Sequence, residues 1–249
     1  MSKLIHVNEL FSSIQGEGLL AGRRQIFVRL SECNLDCRYC DTEFSVSGIG
    51  RIESCPGSGE LVETPQPMPL EALTTVIADW TARLPGAHHS VSITGGEPLL
   101  QADLLRELLP EIRSIIPIHL ETNGTMHLSL RQLKQHLDYI SMDMKLPSTA
   151  GCTEQLWDIH GSFLREAQGR TVSVKVVVGD ATTPDEISQV CEIISTVNRE
   201  TPLFLQPLTL PDGTVGIWVP HLLHLQELAA SRLPDVRVIP QMHRLLGAL

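Results

Sequence analysis

Short apolar runs alternate with longer segments of helical period along this chain, and that alternation limits the fold more than any other feature of the sequence. The short runs are rich in β-branched residues, which favours strands. They are Ile26–Leu30, Val91–Thr94, Ile118–Glu121, Tyr139–Met142, Val172–Val178, Leu203–Gln206 and, with a weaker pattern, Val236–Ile239. The amphipathic segments between them are Leu70–Arg83, Leu104–Ile116, Leu130–Leu137, Asp185–Val197 and His221–Ser231. Strands that alternate with helices predict an α/β fold with a mostly parallel sheet, either doubly wound or curled into a full or partial barrel.

One segment, Ser45–Pro69, interrupts this alternation. It is rich in Gly, Ser, Pro and Glu and shows no clear period, so we expect a long loop that is either a lid or locally disordered. Linker-like composition occurs nowhere else, and a chain of 249 residues suits one large domain. We therefore predict a single domain over residues 1–249, with 45–69 as an inserted loop.

The chain is acidic and carries no run of basic residues. Its formal net charge is −10, whereas nucleic-acid binding normally needs a basic surface that displaces counterions from phosphates. No apolar stretch approaches the length of a membrane span, and the N-terminal residues lack the apolar core of a signal peptide. These features argue against nucleic acid and membrane as main partners and predict a cytoplasmic protein.

Three cysteines lie close together in the pattern C-x3-C-x2-C, formed by Cys33, Cys37 and Cys40. In a reducing compartment such a cluster indicates metal or redox chemistry rather than a disulfide framework. A structural zinc site normally has four ligands, and no fourth ligand lies at matching spacing. Three thiolates on a [4Fe–4S] cluster would instead leave one iron open to a substrate or cofactor. Zinc binding or coincidental thiols is the alternative interpretation.

This cysteine pattern follows the first strand, and the motif Thr94-Gly95-Gly96-Glu97-Pro98 follows the second. Together they resemble the core of the radical S-adenosylmethionine (SAM) superfamily. The resemblance implies a partial (β/α) barrel with mostly parallel strands, a [4Fe–4S] cluster on the three cysteines, and SAM as cofactor. It also implies that Gly96 lets the backbone approach SAM closely and that Glu97 accepts a hydrogen bond from the SAM ammonium group.

Further motifs resemble one family within that superfamily, the 7-carboxy-7-deazaguanine synthases. They are Phe11–Gly18 (FSSIQGEG), Arg29 before the first cysteine, Thr42 after the third, the strand-end segments 141–145 (SMDMK) and 206–209 (QPLT), and 240–247 (PQMHRLLG). The resemblance implies Mg2+ on Thr42. It implies SAM contacts from Ser141, Asp143, Lys145, Gln206, Pro207, Leu208 and Thr209, in addition to Gly96 and Glu97. It implies substrate contacts from Ile14, Gln15, Gly16, Arg29, Thr94, His243 and the terminal carboxylate of Leu249.

Two segments depart from the family pattern. Other members have a shorter Ser-Pro-Lys where this chain has SMDMK, so the SAM contacts in 141–145 are open. The insertion 45–69 has no counterpart that can be aligned, and it can alter access to the site.

The family resemblance implies an activity and its partners. We expect conversion of the pterin 6-carboxy-5,6,7,8-tetrahydropterin to 7-carboxy-7-deazaguanine with release of ammonia, in 7-deazapurine (queuosine) biosynthesis. An electron donor such as flavodoxin or ferredoxin and a homodimer are also expected.

Two other functions compete with this interpretation. A glycyl-radical activating enzyme shares the three-cysteine core, although it needs a wide mouth for a protein loop rather than a clamp for a small carboxylate. A non-catalytic zinc or iron–sulfur module would act as a sensor or scaffold. Two residues also have ordinary structural explanations, since Arg29 could form a strand-end ion pair and Thr42 could cap a helix.

Overall fold

The computed structural model describes residues 3–40, 42, 44–151 and 156–249. Its strands are β1 Leu4–Ile5, β2 Val7–Ile14, β3 Arg24–Leu30, β4 Ile49–Glu53, β5 Leu61–Pro65, β6 Met68–Pro69, β7 Ser90–Gly95, β8 Ile118–Thr122, β9 Tyr139–Asp143, β10 Thr171–Val178, β11 Leu203–Pro207 and β12 Val236–Val238. Its α-helices are α1 Leu70–Arg83, α2 Ala102–Arg113, α3 His127–Leu133, α4 Pro147–Ala150, α5 Trp157–Ala167, α6 Pro184–Asn198, α7 Val219–Ala230 and α8 Met242–Leu246. Short 3-10 turns cover Gly18–Leu20, Pro98–Gln101 and Lys134–His136.

Ten of these strands form one sheet in the order β12-β11-β10-β9-β8-β7-β3-β2-β4-β5. From β3 to β12 every neighbouring pair in this sheet is parallel. On the other side of β3, β2 is antiparallel to β3, β4 is parallel to β2, and β5 is antiparallel to β4. The predicted α/β fold with a mostly parallel sheet is thereby confirmed, and all seven predicted strands are present within a residue or two of their predicted ends.

The longer helices, α1, α2, α5, α6 and α7, each bury an apolar face in the core. In α1 the buried positions are Leu70, Leu73, Ile77 and Trp80, which recur at the spacing of one helix face. In α6 the side chain of Thr183 accepts from the backbone of Glu186 while the Glu186 carboxylate accepts from the backbone of Thr183. This reciprocal capping box begins the helix at Pro184, where Pro lacks only a backbone donor that would have no helical partner.

The prediction of a structureless loop over Ser45–Pro69 is wrong. Strands β4 and β5 form an antiparallel hairpin within it, and β4 continues the main sheet by pairing with β2. The hairpin approaches β2 so closely that a Cβ on Gly50 would lie 2.2 Å from the carbonyl oxygen of Val7. The buried positions of β4 are Gly50 and Glu53, and β5 has no fully buried residue, which explains why the segment lacks a recognisable apolar period.

Two further elements differ from expectation. Phe11–Ile14, predicted as part of a substrate loop, is the end of strand β2, and the loop itself begins at Gln15. Helix α5 was not predicted, although its buried positions His160, Phe163, Leu164 and Ala167 lie on one face. None of the helices in the described part of the chain is long and apolar enough to cross a membrane.

Candidate active site

The carboxyl ends of the parallel strands open onto a single large cavity of ≈ 450 Å³. Its volume is in the range of small-molecule sites. The residues predicted for the site that line it are Ile14, Gln15, Gly16, Arg29, Cys33, Cys37, Cys40, Thr42, Thr94, Gly96, Ser141, Asp143, Lys145, Gln206, Leu208, Thr209, His243 and Leu249. The fold therefore brings motifs from the two ends of the chain into one site.

The three predicted cluster ligands lie on the loop that follows β3. Cys33 and Cys37 are half-buried and Cys40 is exposed, and the backbone N–H of Cys40 donates to the carbonyl of Cys37 at 3.0 Å. Burial raises the pKa of the Cys33 thiol in the protein alone, whereas a bound metal deprotonates a coordinating thiol. The three cysteines border one cavity, and their donor set suits a [4Fe–4S] cluster with one open iron, although within the described residues their side chains do not converge as a metal site.

The glycine turn after β7 packs directly beneath this loop. A Cβ on Gly96 would lie 1.9 Å from the Glu32 carbonyl oxygen and 3.0 Å from Cys33 Cβ. A Cβ on Gly95, which has φ +130°, would lie 2.2 Å from the Leu30 carbonyl oxygen. Both glycines are therefore needed so that the cysteine loop can lie against the end of β7.

Glu97 does not line the cavity, and its expected contact with the SAM ammonium is not supported by its position. Its side chain is fully buried and accepts hydrogen bonds from the backbone N–H groups of Leu99 and Asn123 and from the hydroxyl of Thr122, at 2.8 to 3.0 Å. Burial raises its pKa to about 7 in spite of these donors. The Glu97 carboxylate, which follows β7, is thus hydrogen-bonded to the end of β8. Pro207 is likewise buried and outside the cavity lining.

A network of partly buried charges crosses the floor of the cavity. Asp143 Oδ2 lies 2.9 Å from Lys145 Nζ and 3.0 Å from Lys175 Nζ, and Lys175 Nζ also lies 2.5 Å from Glu17 Oε2. Burial would raise the pKa of Asp143, but the two ammonium groups outweigh it and lower the pKa to about 2. For the same reason the pKa values of both lysines are raised in spite of burial. All four groups are charged at neutral pH.

This network extends to the cysteine loop at one end and to the C-terminal segment at the other. Lys145 Nζ donates to the Tyr39 hydroxyl at 3.0 Å and lies 5.0 Å from the centre of the Tyr39 ring. Glu17 Oε1 accepts from Gln206 Nε2 at 3.2 Å and from Gln241 Nε2 at 2.8 Å. The network therefore joins the region of the predicted cluster to the loop that begins at Gln15.

The loop Gln15–Gly18 and the C-terminal segment 240–249 form one wall of the cavity. Met242 N donates to the carbonyl of Gly16 at 3.0 Å, and a Cβ on Gly16 would lie 2.1 Å from His243 Nδ1. Gln15 Nε2 donates to Gln25 Oε1 at 3.0 Å and to Glu121 Oε1 at 2.9 Å. The side chain of Gln15 is thus held below the cavity, while Gly16 allows His243 to approach.

Two buried acceptors fit a ligand that carries hydrogen-bond donors. Asp143 Oδ1 and Gln206 Oε1 are buried atoms of residues that border the cavity, and they make no hydrogen bond within the described ranges. Buried acceptors in native sites normally have a partner, so both atoms suit the hydroxyl and amino groups of SAM.

Thr42 Oγ1, the predicted Mg2+ ligand, accepts from Arg29 Nη1 at 3.2 Å, and this places the predicted metal position beside a guanidinium group.

Several residues of the site were not predicted, although the sequence contains signals for some of them. Lys175 is the only charged residue in the apolar run Val172–Val178, and an isolated buried charge in a strand often marks a site. Glu17 lies within the quoted motif but was not given a role. Gln241 lies within the motif 240–247 but was likewise given no role, and Glu121 ends the predicted strand Ile118–Glu121. Tyr39 could not be recognised, because its role depends on which strand ends and loops are adjacent.

Comparison with known proteins agrees with this geometry. The model of the radical SAM superfamily matches residues 28–194. The chain is 48% identical to 7-carboxy-7-deazaguanine synthase of Geobacter sulfurreducens, over 98% of this chain and 97% of that protein. It is 38% identical to the enzyme of the same name from Methanothermobacter thermautotrophicus, over 96% of each chain.

Solved structures support the fold. The crystal structure of QueE from Escherichia coli matches with a TM-score of 0.54 and 22% identity, over 96% of this chain and 95% of that one. A radical SAM methyltransferase from Sphaerobacter thermophilus matches with a TM-score of 0.57 and 13% identity, over 88% of this chain and 66% of that one. The predicted partial barrel of the radical SAM type is confirmed.

Proposed function

The chain belongs to the 7-carboxy-7-deazaguanine synthase family of radical SAM enzymes, and from this premise we propose that it converts 6-carboxy-5,6,7,8-tetrahydropterin to 7-carboxy-7-deazaguanine. The observation that carries the proposal is the convergence, in one cavity, of the three cysteines, the strand-end polar residues and Arg29. Because the family is shown, we no longer consider the two alternatives, the glycyl-radical activating enzyme and the non-catalytic metal module.

The cofactors supply the difficult chemistry, and the chain supplies binding and orientation. With Cys33, Cys37 and Cys40 holding a [4Fe–4S] cluster, bound SAM is a source of a 5′-deoxyadenosyl radical. The pterin would give up one hydrogen atom from C6, contract its ring, regain one hydrogen atom and release one nitrogen as ammonia, so that SAM is recovered. Substrate and product therefore differ in composition by one NH3.

Side chains of the cavity suit the parts of such a substrate. Arg29 offers a guanidinium fork for the carboxylate, and its position is stabilised by Glu9, which accepts from Arg29 Nε at 2.8 Å. Arg29 therefore forms the ion pair that was considered as its structural explanation, and it also lines the cavity. Gly16 and His243 supply polar groups on the wall that the C-terminal segment forms, where an aminopyrimidine ring requires donors and acceptors. The amide of Gln15 is already bound to Gln25 and Glu121, so it acts beneath this wall.

Further parts of the proposal rest on the family resemblance. Thr42 would contribute one oxygen to Mg2+, and the substrate would supply others, because Mg2+ prefers hard oxygen ligands and retains several waters. We also propose a flavodoxin or ferredoxin as electron donor, a homodimer, and a cytoplasmic location.

An anaerobic assay tests the proposal. The reconstituted, reduced protein is incubated with SAM, Mg2+ and carboxytetrahydropterin, and the products are identified by mass spectrometry. We expect carboxydeazaguanine with SAM recovered, and no product from a Cys37→Ala variant. SAM cleavage with the pterin unchanged would overturn the proposed substrate, and a fully loaded protein that changes neither compound would overturn the proposed reaction.

A further inference from the structure

Four side chains from four neighbouring strands form a row along the wall of the cavity. The paired Cα positions are Arg51 with Glu9, Glu9 with Arg29, and Arg29 with Thr94. All four residues line the cavity. Arg29 and Thr94 were predicted to bind substrate, whereas Glu9 and Arg51 were not, and Arg51 belongs to the hairpin β4–β5 in the insertion.

Glu9 lies between the two arginines and contacts both. Its Oε2 accepts from Arg29 Nε at 2.8 Å, and its Oε1 accepts from Arg51 Nη2. The Glu9 side chain is 16% exposed, that of Arg29 is 24% exposed, and that of Arg51 is 56% exposed. Water therefore screens the Arg51 charge more than the Arg29–Glu9 pair, but the cation still borders the cavity.

The charges of this row decide what it can bind. Arg29 and Glu9 alone form a pair with no net charge, and a carboxylate ligand would then meet Glu9 as well as Arg29. Like charges at short range oppose binding, whereas one additional cation makes the row attractive to an anion. Arg51 restores a net charge of +1 to the three ionised groups.

We propose that Arg51 is a positioning residue that supplies the net positive charge of the substrate carboxylate site, by neutralising Glu9 while Glu9 orients Arg29. This inference rests on the proposed function, since it concerns the carboxylate of the same substrate. It assigns a role in binding to the insertion: the hairpin brings a guanidinium group to the cavity from the edge of the sheet. A purely structural ion pair that stabilises the hairpin would leave the charge preference of the site unchanged.

The test compares ligands that differ in a carboxylate. Binding of 7-carboxy-7-deazaguanine and of 7-deazaguanine to the reconstituted protein with SAM is measured by anaerobic titration calorimetry. In Arg51→Met we expect the dissociation constant of the carboxylated ligand to rise about tenfold, with that of 7-deazaguanine unchanged. Arg106→Met is the matched control, because Arg106 is also 56% exposed and paired with a carboxylate, Asp103, but lies on α2 outside the cavity lining.

A second variant keeps the inference testable if the single substitution disturbs folding. In Glu9→Gln/Arg51→Met both charges of the outer pair are removed, so Arg29 alone again gives the row a net charge of +1. We expect this double variant to bind the carboxylated ligand within about threefold of the original chain. A tenfold loss in the double variant, or equal losses for both ligands in Arg51→Met, would overturn the role of Arg51. An original chain that does not prefer the carboxylated ligand would instead overturn the proposed substrate.

Discussion

Asp143 has two cations on one of its oxygens and no partner on the other within the described residues. Removing one member of such a buried set leaves the others without compensation, which costs more than the set contributes when intact. The carboxylate therefore compensates the charges of Lys145 and Lys175 with one oxygen, while its other oxygen is buried without a hydrogen-bond donor.

This arrangement predicts how stability depends on pH. Because the pKa of Asp143 is lowered from 3.8 to about 2, its contribution is present above pH 3.8 and is lost as the pH falls towards 2. The corresponding contribution is about 2 kcal/mol. In Asp143→Asn we expect lower stability at pH 7 and a weaker loss between pH 4 and 2, as measured by urea denaturation. Asp103→Asn, at an exposed carboxylate, is the control; an unchanged acid profile in Asp143→Asn would contradict the prediction.

Glu97 gives a second prediction at this scale. Gln in its place has one oxygen and one NH2 group, so the NH2 group would face donors that now point at a carboxylate oxygen. We expect Glu97→Gln to lower the free energy of unfolding by about 2 kcal/mol and to reduce iron incorporation, since the turn supports the Cys33 loop. Thermal denaturation and iron analysis measure both effects. A variant of unchanged stability would show that the buried hydrogen bonds are dispensable.

The residues of the site were predictable to the extent that a motif follows a strand. The cysteines, Arg29, Asp143 and Lys145 follow or end strands, so a parallel sheet brings them to one edge. The direction in which a side chain points within a motif was not predictable from the sequence. Glu97 points down between two strands, and only the packing of β7 against β8 determines this.

At the scale of elements, the loop Gln15–Gly18 and the segment 240–249 act as a single wall. Gly16 is the contact point, because a Cβ there would meet both the ring and the backbone nitrogen of His243, the latter at 2.7 Å. Backbone cannot move aside as a flexible side chain can. Any residue larger than glycine must therefore displace the C-terminal segment from the cavity.

We expect Gly16→Ala to raise the KM for carboxytetrahydropterin at least tenfold, since small displacements of binding groups are costly. The control is Gly48→Ala, where an added Cβ meets nothing within 4 Å. Steady-state kinetics of the two variants measures the difference. Equal KM values in both would mean that the contact with His243 has no effect on substrate binding.

Elements with a long, regular period were predicted from the sequence, whereas the hairpin was not. Helix α1 repeats apolar residues over fourteen positions and was predicted with its observed bounds. The strands β4 and β5 have five residues each and bury no apolar side chain completely, so their order comes from pairing of β4 with β2 and of β5 with β4. Pairing between strands distant in sequence leaves no local signal.

At the scale of the whole molecule, one sheet extends from the hairpin to β12 without interruption. The buried apolar residues of its helices form one continuous core, which supports the prediction of a single domain. Unfolding of any part would expose the core of its neighbour. We therefore expect the chain to unfold cooperatively.

Urea denaturation of the cluster-free chain tests this expectation, since bound metal complicates two-state behaviour. Fluorescence of Trp80, which is 4% exposed, and of Trp157 in α5 should give the same midpoint as far-UV circular dichroism. Trp218→Phe removes the signal of a tryptophan that is 69% exposed. Two separate midpoints in this variant would divide the chain into two folding units.

The wall made by Gln15–Gly18 and the C-terminal segment also has a consequence for the order of events during translation. The cysteine loop leaves the ribosome about 200 residues before Gln241, which corresponds to about 10 to 40 s of synthesis at typical rates. During this interval the three thiols are present but the wall that contacts Glu17 has not been made. A nascent chain therefore presents its iron–sulfur ligands before the segment that borders the finished cavity has been synthesised.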